Sequence, residues 1–228
     1  EVSYNAHNRR VSPMSQLSDR IIARPLQWLR RLLHSEAIQA TDVGYRYALW
    51  RAHGGRGGRE RPNAPWLNTV MKRRKDWHDA LDRARSLRLP LHRTGEKHWD
   101  SLAIVDAILT RTSVDAHVLD AGGALYSVIL PWLYLYGYTN LVAVDRVFEH
   151  PVRRGPIRYQ GGDVTDLRFA SETFDVVVCQ SVLEHGVPPR AFLGEAARVL
   201  RPNGLLLVSV DFFDRPGDPT AVRMVDPE

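Results

Sequence analysis

The order of apolar and polar positions changes character about halfway along the chain. After a polar, irregular stretch over residues 1–15, Ile21, Ile22, Leu26, Leu29, Leu32 and Leu33 recur at helical spacing behind candidate caps at Ser15 and Ser18, which predicts one amphipathic helix. Arg24, Arg30 and Arg31 flank its stripe; a membrane surface could take such a face, but packing on the rest of the protein is the expected use. A second helix is predicted over 66–88 from Leu67, Val70, Met71, Trp77, Leu81 and Ala84, with a basic turn at 72–75, and a third from 96 to 110 with Trp99, Leu102, Ala103 and Ile108 available for burial. Between the first two, residues 51–65 mix glycines, prolines and arginines, as a solvated loop does. The loop lacks interleaved aromatics, so the stacking part of RNA binding is missing.

Beyond residue 115 the pattern becomes short β-branched or apolar runs, at 117–120, 141–145, 157–159, 174–179 and 205–210, separated by helical or loop segments. Alternation of this kind predicts an α/β sheet. Runs such as Val176, Val177, Val178 and Leu205, Leu206, Leu207, Val208 leave no polar face, so both faces of the sheet must be covered and the sheet should be parallel and doubly wound. The expected organisation is a helical extension or lid over 1–95 carrying the Arg/Gly-rich loop, then a Rossmann-like domain over 96–228.

Composition narrows the classes. The 228 residues are 44% hydrophobic and 25% charged, as in an ordinary folded protein. One cysteine, Cys179, can form neither an internal disulfide nor a thiolate metal cluster, so a reducing cytoplasm is the expected setting. No stretch reaches the roughly 18 apolar residues of a membrane span. The formal charge of +5 bears on solubility more than on a nucleic-acid partner. The chain starts at Glu1 without methionine and ends soon after its last strand-like run, so a piece of a longer protein is expected.

In an open parallel sheet ligands sit beyond the carboxyl ends of the strands, so those ends carry the chemistry. The first reads Val118, Leu119, Asp120, Ala121, Gly122, Gly123, Ala124, followed by a helix-like run from about 125 to 136. Small residues there let the backbone approach a ligand closely, and Asp120 offers a carboxylate to a cation or hydroxyl. The second strand ends at Asp145, about 25 residues on, where a ribose diol would find an acceptor.

The ordered set Asp120-Ala121-Gly122, Asp145, Gly162-Asp163-Val164, Phe174-Asp175-Val176-Val177-Val178, Leu183-Glu184-His185 and Ala197-Arg198-Val199-Leu200-Arg201-Pro202-Asn203-Gly204 resembles the class I S-adenosylmethionine-dependent methyltransferases. The likeness spans about residues 95–215, and its last two blocks are the most specific. The resemblance implies S-adenosyl-L-methionine as cofactor, with Asp120, Ala121 and Gly122 at its methionine end and Asp145 on the ribose hydroxyls. By the same resemblance Asp163 meets the adenine amino group, Val164 flanks the adenine, and Gln180 and Ser181 border the cofactor and the substrate entrance. His98 and Trp99 are candidates to cover it, with Trp99 also readable as core.

A sulfonium methyl is already activated, so alignment and exclusion of water are the main tasks. If the acceptor is a hydroxyl, His185 or Glu184 is the candidate proton acceptor. The family's alternate glycines are reduced here to Gly122, with Ala124 and Tyr126 in the following places; Ala124 would be strained if it needed a positive φ, and Tyr126 could line the site. Gly-Gly-Ala-Leu-Tyr-Ser from Gly122 does not fit the nicotinamide fingerprint, and no zinc set, P-loop or serine elbow is present. The expected function is methyl transfer to a small-molecule, natural-product or glycan-pathway acceptor. The alternative is a partner-binding module that keeps the fold without catalysis. The family adds a helix and two further strands after Phe213, where this chain has a polar tail; the sheet edge is therefore expected to be unfinished, or completed by an oligomer or partner.

Overall fold

The structure is a computed structural model and describes residues 35–55 and 58–211. The amphipathic run at 21–33 and the tail beyond 211 lie outside the described residues. Among the described residues four helices come first: α1 (Glu36–Gln39), α2 (Asp42–His53), α3 (Arg74–Ser86) and α4 (Lys97–Arg111). There follow β1 (Val118–Ala121), α5 (Ile129–Leu135), β2 (Leu141–Val144), β3 (Val152–Arg154), β4 (Ile157–Gln160), β5 (Phe174–Gln180), a 3-10 turn at Leu183–His185, α6 (Pro189–Val199) and β6 (Leu200–Ser209).

The six strands form one sheet in the order β3-β4-β2-β1-β5-β6, parallel except for the β3–β4 pair. Its faces follow the two-residue period of a strand. Val118, Val176, Val178, Ala143 and Tyr159 point to the side covered by α3, α4 and α5, whereas Leu119, Ala121, Val142, Val177 and Cys179 meet Phe192, Ala196 and Val199 of α6 on the other. Both faces are covered, as the continuous apolar runs required.

Local sequence explains where elements begin later than their apolar rhythm. Asn68 takes a left-handed φ of +59°, so 66–88 is helical only from Arg74, where the Arg73 amide donates to Asp76 Oδ2 at 3.1 Å, the N3 half of a capping box. In the second case Pro131 lies in the first turn of α5; a helix starting at 125 would put its ring against the carbonyl four residues earlier, so the helix starts at Ile129. The short polar strand β3 escaped the sequence reading. It pairs with β4 across Gly155 (φ +57°) and Pro156, and α2 docks on this hairpin through Tyr45, whose ring leaves no room for a Cβ at Gly155.

Arg59 ties the helical region together. Its Nη1 donates to Leu87 O at 2.7 Å and its Nη2 to His53 O at 2.6 Å, satisfying carbonyls at the ends of α3 and α2 that those helices leave unpaired. Arg59→Ala is expected to cost about 2 kcal/mol, the scale of hydrogen bonds from a charged donor, read as a lower denaturation midpoint with an unchanged m-value.

Two of the sequence blocks meet at the amino-terminal end of the strands. Arg201 grips Asp175 through Nη1 at 2.8 and 2.7 Å, and the His117 amide donates to the same carboxylate at 2.7 Å. Burial pulls the Asp175 carboxyl upward, but Arg201 and the His117 amide more than reverse it. This clamp holds residues 201–204 as an excursion within β6, where pairing jumps from Phe174↔Leu200 to Val176↔Leu205. It lies five residues of β5 below Gln180, about 16 Å from the other strand end. Arg198 similarly binds Phe169 O, Leu167 O and Glu195. The block over 197–204 thus stabilises the fold, and the candidate site lies at the opposite strand ends.

Candidate functional site

Chain order reverses between β1 and β5: β2 and β4 extend the sheet on one side of β1, β5 and β6 on the other. At such a switch point the loops following the two strands diverge and leave a crevice. Register aligns the strand ends. Ala121 pairs with Val144 and Val144 with Gln160, the Gly122 amide donates to Val144 O at 2.7 Å, and the Asp145 amide to Gln160 O at 3.2 Å. Gly122 and Asp145 therefore stand side by side at one edge, as a shared ligand requires.

A cavity of about 380 Å³ opens at the crevice. Asp120, Gly122, Gly123, Tyr126 and Ser127 form the wall after β1; Gln180, Ser181, His185 and Asp211 form the wall after β5; His92, Arg93, Thr94 and Lys97 cover it. Asp120 is 2% exposed, and Ser127 Oγ donates to its Oδ2 at 2.8 Å. Burial pushes the Asp120 carboxyl up to about 6, against the Ser127 hydroxyl and with the Asp145 charge adding to the rise. A buried acid beside open space is stabilised by an arriving cation.

Gly122 has φ +92°, and a Cβ there would stand 2.2 Å from Val182 Cγ2, so this turn needs glycine on two counts. At Gly123 a Cβ would stand 2.4 Å from the Asp120 carboxylate. Ala124 takes no left-handed φ, so the missing second glycine carries no strain, and Tyr126 lines the cavity with its ring more than half exposed.

On the β5 side Gln180 Nε2 donates to Lys97 O at 3.2 Å and Ser101 Oγ at 3.0 Å. Ser181 adopts φ +53°, its amide donates to Ser209 O at 2.9 Å, and Lys97 Nζ donates to both its hydroxyl and the Asp211 carboxylate. Asp100 accepts from Ser209 Oγ at 2.9 Å; burial raises its carboxyl. The amino-terminal turn of α4 thus fastens the ends of β5 and β6 beside the cavity.

The sequence candidates divide by position. Asp120, Gly122, Gln180, Ser181 and His185 line one cavity. Ala121 is buried in the α6-side core. Asp145, Asp163 and Val164 follow β2 and β4, next to the cavity rather than on its wall. The Asp163 carboxyl is held down at about 2 by the Thr165 amide, Arg146 and the Thr165 hydroxyl, so any ligand contact must share it with Arg146. Glu184 is buried and its Oε1 accepts the Asp211 amide at 3.1 Å; of the two proton-acceptor candidates only His185 faces the cavity. His98 is fully buried, its Nε2 accepting from the His92 amide at 3.1 Å and its Nδ1 donating to Gly95 O at 2.7 Å. Burial lowers its pKa, so it shapes the cover as a neutral ring. Trp99 stacks on Trp66 at 5.9 Å and belongs to the core.

Ser127, Lys97, His92 and Arg93 were missed. Lys97 and Ser101 lie one helical turn apart, a spacing that could have flagged Lys97; His92 and Arg93 sit in an aperiodic connection that gives no such signal. Among the described residues no group of His, Cys, Asp and Glu is arranged to hold a metal, and no helix is long and apolar enough to cross a membrane.

Residues 119–208 match the family described as "Methyltransferase domain". The chain is 42% identical over 68 residues to the mitochondrial ubiquinone biosynthesis O-methyltransferase of Schizosaccharomyces pombe, covering 30% of this chain and 24% of that protein. It is 42% identical over 53 residues to the ubiquinone biosynthesis O-methyltransferase of Parvibaculum lavamentivorans, covering 23% and 21%. The matched stretches thus span about a quarter or less of these relatives. An S-adenosylmethionine dependent methyltransferase structure from Mesorhizobium loti superposes with TM-score 0.40 at 16% identity, covering 49% of this chain and 52% of that one. Residues 119–208, which hold the strands that build the crevice, therefore carry a methyltransferase domain.

Proposed function

We propose that the protein transfers a methyl group from S-adenosyl-L-methionine to a hydroxyl of a small-molecule acceptor. The observation that carries this reading is the single cavity at the β1/β5 switch point, with a buried carboxylate and a glycine bend on one wall and His185 on the other. The residues fit the cofactor. Gly122 and Gly123 leave space that a side chain would fill, and Asp120 is an acid whose raised pKa is relieved by a positive charge.

The cofactor supplies an activated methyl. Asp120, oriented by Ser127, holds the cationic amino-acid end, and Asp145, next along the sheet edge, accepts from the ribose hydroxyls. Val164 and Asp163 serve the adenine side, Asp163 in exchange for Arg146. Gln180 and Ser181 form the boundary between cofactor and acceptor, and residues 92–97 exclude water from above. His185 accepts the acceptor's hydroxyl proton; Glu184 works at a distance, holding the end of β6 through Asp211.

The separate lid suggested for residues 1–95 is reduced in this proposal to the segment around 92–97, because α2–α5 share one core with the sheet. A reducing compartment such as the cytoplasm suits Cys179, a buried thiol pushed up to about 12 by burial and by Asp120 and Glu184. The non-catalytic alternative rested on the thin glycine signature and the early end of the sheet, and Ala124 without a left-handed φ weakens the first of these.

Calorimetric titration with S-adenosylmethionine and S-adenosylhomocysteine tests the proposal. Binding is expected for the parent chain. Asp145→Ala should weaken it about 10- to 100-fold, the loss of hydrogen bonds to a charged acceptor, while His185→Gln leaves it within a factor of about two. Absence of heat from the parent chain would sink the proposal.

A further inference from the structure

We infer that the acceptor carries an anionic group, a carboxylate or phosphate, which the Arg93 guanidinium receives at the cavity mouth. This rests on the methyltransferase reading and goes beyond it by naming a substrate class.

The inference starts from the charges around the cavity. Its formal anions are Asp120 and Asp211, and its formal cations Arg93 and Lys97. Asp120 is buried at the β1 end with Ser127, facing the cationic end of the cofactor. Asp211 is taken by Lys97, which also donates to Ser181. That leaves Arg93: among the described residues no carboxylate stands within ion-pair distance of it, and no carbonyl accepts from it. It is exposed and lines the cavity, so its planar fork of donors can take two oxygens of one anion.

The surroundings select for an anion with an attached ring. His92, next in the chain, meets Tyr126 edge to face at 5.8 Å between ring centres. Burial lowers the pKa of His92, and Lys97 and Arg93 lower it further, so a neutral aromatic pair stands beside the guanidinium. The Tyr126 ring, 57% exposed, offers an aromatic surface for a planar acceptor. Across the cavity His185 waits for a hydroxyl proton. The three groups line one cavity, so a hydroxylated ring with an anionic substituent would set its anion at Arg93 and its reacting hydroxyl toward His185.

The segment bearing Arg93 is held in place, which makes the subsite a fixed one. The Pro90 carbonyl accepts from Trp132 Nε1 at 2.7 Å, and the His92 amide donates to the buried His98 ring. A charge on such a support positions a ligand without first ordering a loop.

The test uses the full chain saturated with S-adenosylhomocysteine and titrates 4-hydroxybenzoate, 4-hydroxybenzamide and phenyl phosphate. The benzoate should bind at least about tenfold more tightly than the neutral amide, with the advantage shrinking at high salt. Arg93→Ala should remove the preference and Arg93→Lys keep part of it, with S-adenosylhomocysteine affinity within about twofold in both. Tighter binding of phenyl phosphate than of the benzoate would support the inference with phosphate as the anion, and the reverse would support it with carboxylate. Equal affinity for benzoate and amide, or no binding of any of the three to the cofactor-loaded protein, would overturn it. A loss of S-adenosylhomocysteine affinity in Arg93→Ala as large as the loss of benzoate would also overturn it, by giving Arg93 to the cofactor's own carboxylate. Failure of the parent chain to bind S-adenosylhomocysteine would instead break the underlying reading.

Discussion

Asp120→Asn is expected to make the free protein more stable at pH 7 and to weaken its hold on S-adenosylmethionine about 10- to 100-fold. Both effects come from one buried carboxylate. In the folded protein its pKa is pushed up to about 6 from the ordinary 3.8 of an aspartate, so between those values the native state binds more protons than the unfolded one. Stability from this group is fully present below about pH 4 and is lost as pH rises through 6. Two units correspond to about 3 kcal/mol, which asparagine, neutral throughout, does not forfeit, while its side-chain oxygen can still accept from Ser127. Affinity moves the other way, because the ionised acid is what a cation meets, and a hydrogen bond to a charged group contributes about 1.5–3 kcal/mol. In the parent protein cofactor affinity should therefore climb through pH 6 and level off above it. Thermal melts of parent and variant at pH 4 and pH 7, with titrations over the same range, check both arms. A variant that melts with the parent at both pH values and binds equally well would show that Asp120 is neither strained nor engaged.

Trp132→Ala is expected to cost about 4 kcal/mol, near the middle of the range for removing a large buried aromatic and a large share of the 5–15 kcal/mol that holds a domain together. Trp132 is fully buried between α5 and the rest of the helical layer. Its indole N–H also holds the Pro90 carbonyl at 2.7 Å, two residues before His92 at the cavity cover. Trp132→Phe keeps most of the volume and loses the donor, for an expected cost of about 1–2 kcal/mol. The phenylalanine variant should lose cofactor affinity more than its stability alone explains, because the cover loses one of its two anchors. Urea denaturation at 25 °C gives the first number and titration of the phenylalanine variant the second; unchanged affinity would confine Trp132 to the core.

The alternation of short apolar runs and helices after residue 115 made the parallel sheet legible, since a strand buried on both faces has no polar period to show. Asp120, Gly122, Gln180, Ser181 and His185, named from strand ends and from the family resemblance, line one cavity. Ser127 was not, since its hydrogen bond to Asp120 requires the chain to turn back after Gly123. Glu184 and His185, adjacent in sequence and equal as candidates, were separated by a single 3-10 turn that buries one and exposes the other. The Arg-Pro-Asn-Gly block drew attention as a family signature, and its arginine turned out to hold Asp175 at the far end of the sheet.

What the sequence settled by itself was the kind of sheet and where its strands end, because these depend on local periodicity, while the cofactor was an expectation from the resemblance of its motifs to a family. Only tertiary structure decided which charges face one another across the cavity. Lys97 reaches Ser181 and Asp211 over 84 and 114 residues of chain, and among the described residues Arg93 is left without a carboxylate by where the helical layer sets it down. Pairings of that range follow from the docking of helices on a sheet, which no local pattern encodes.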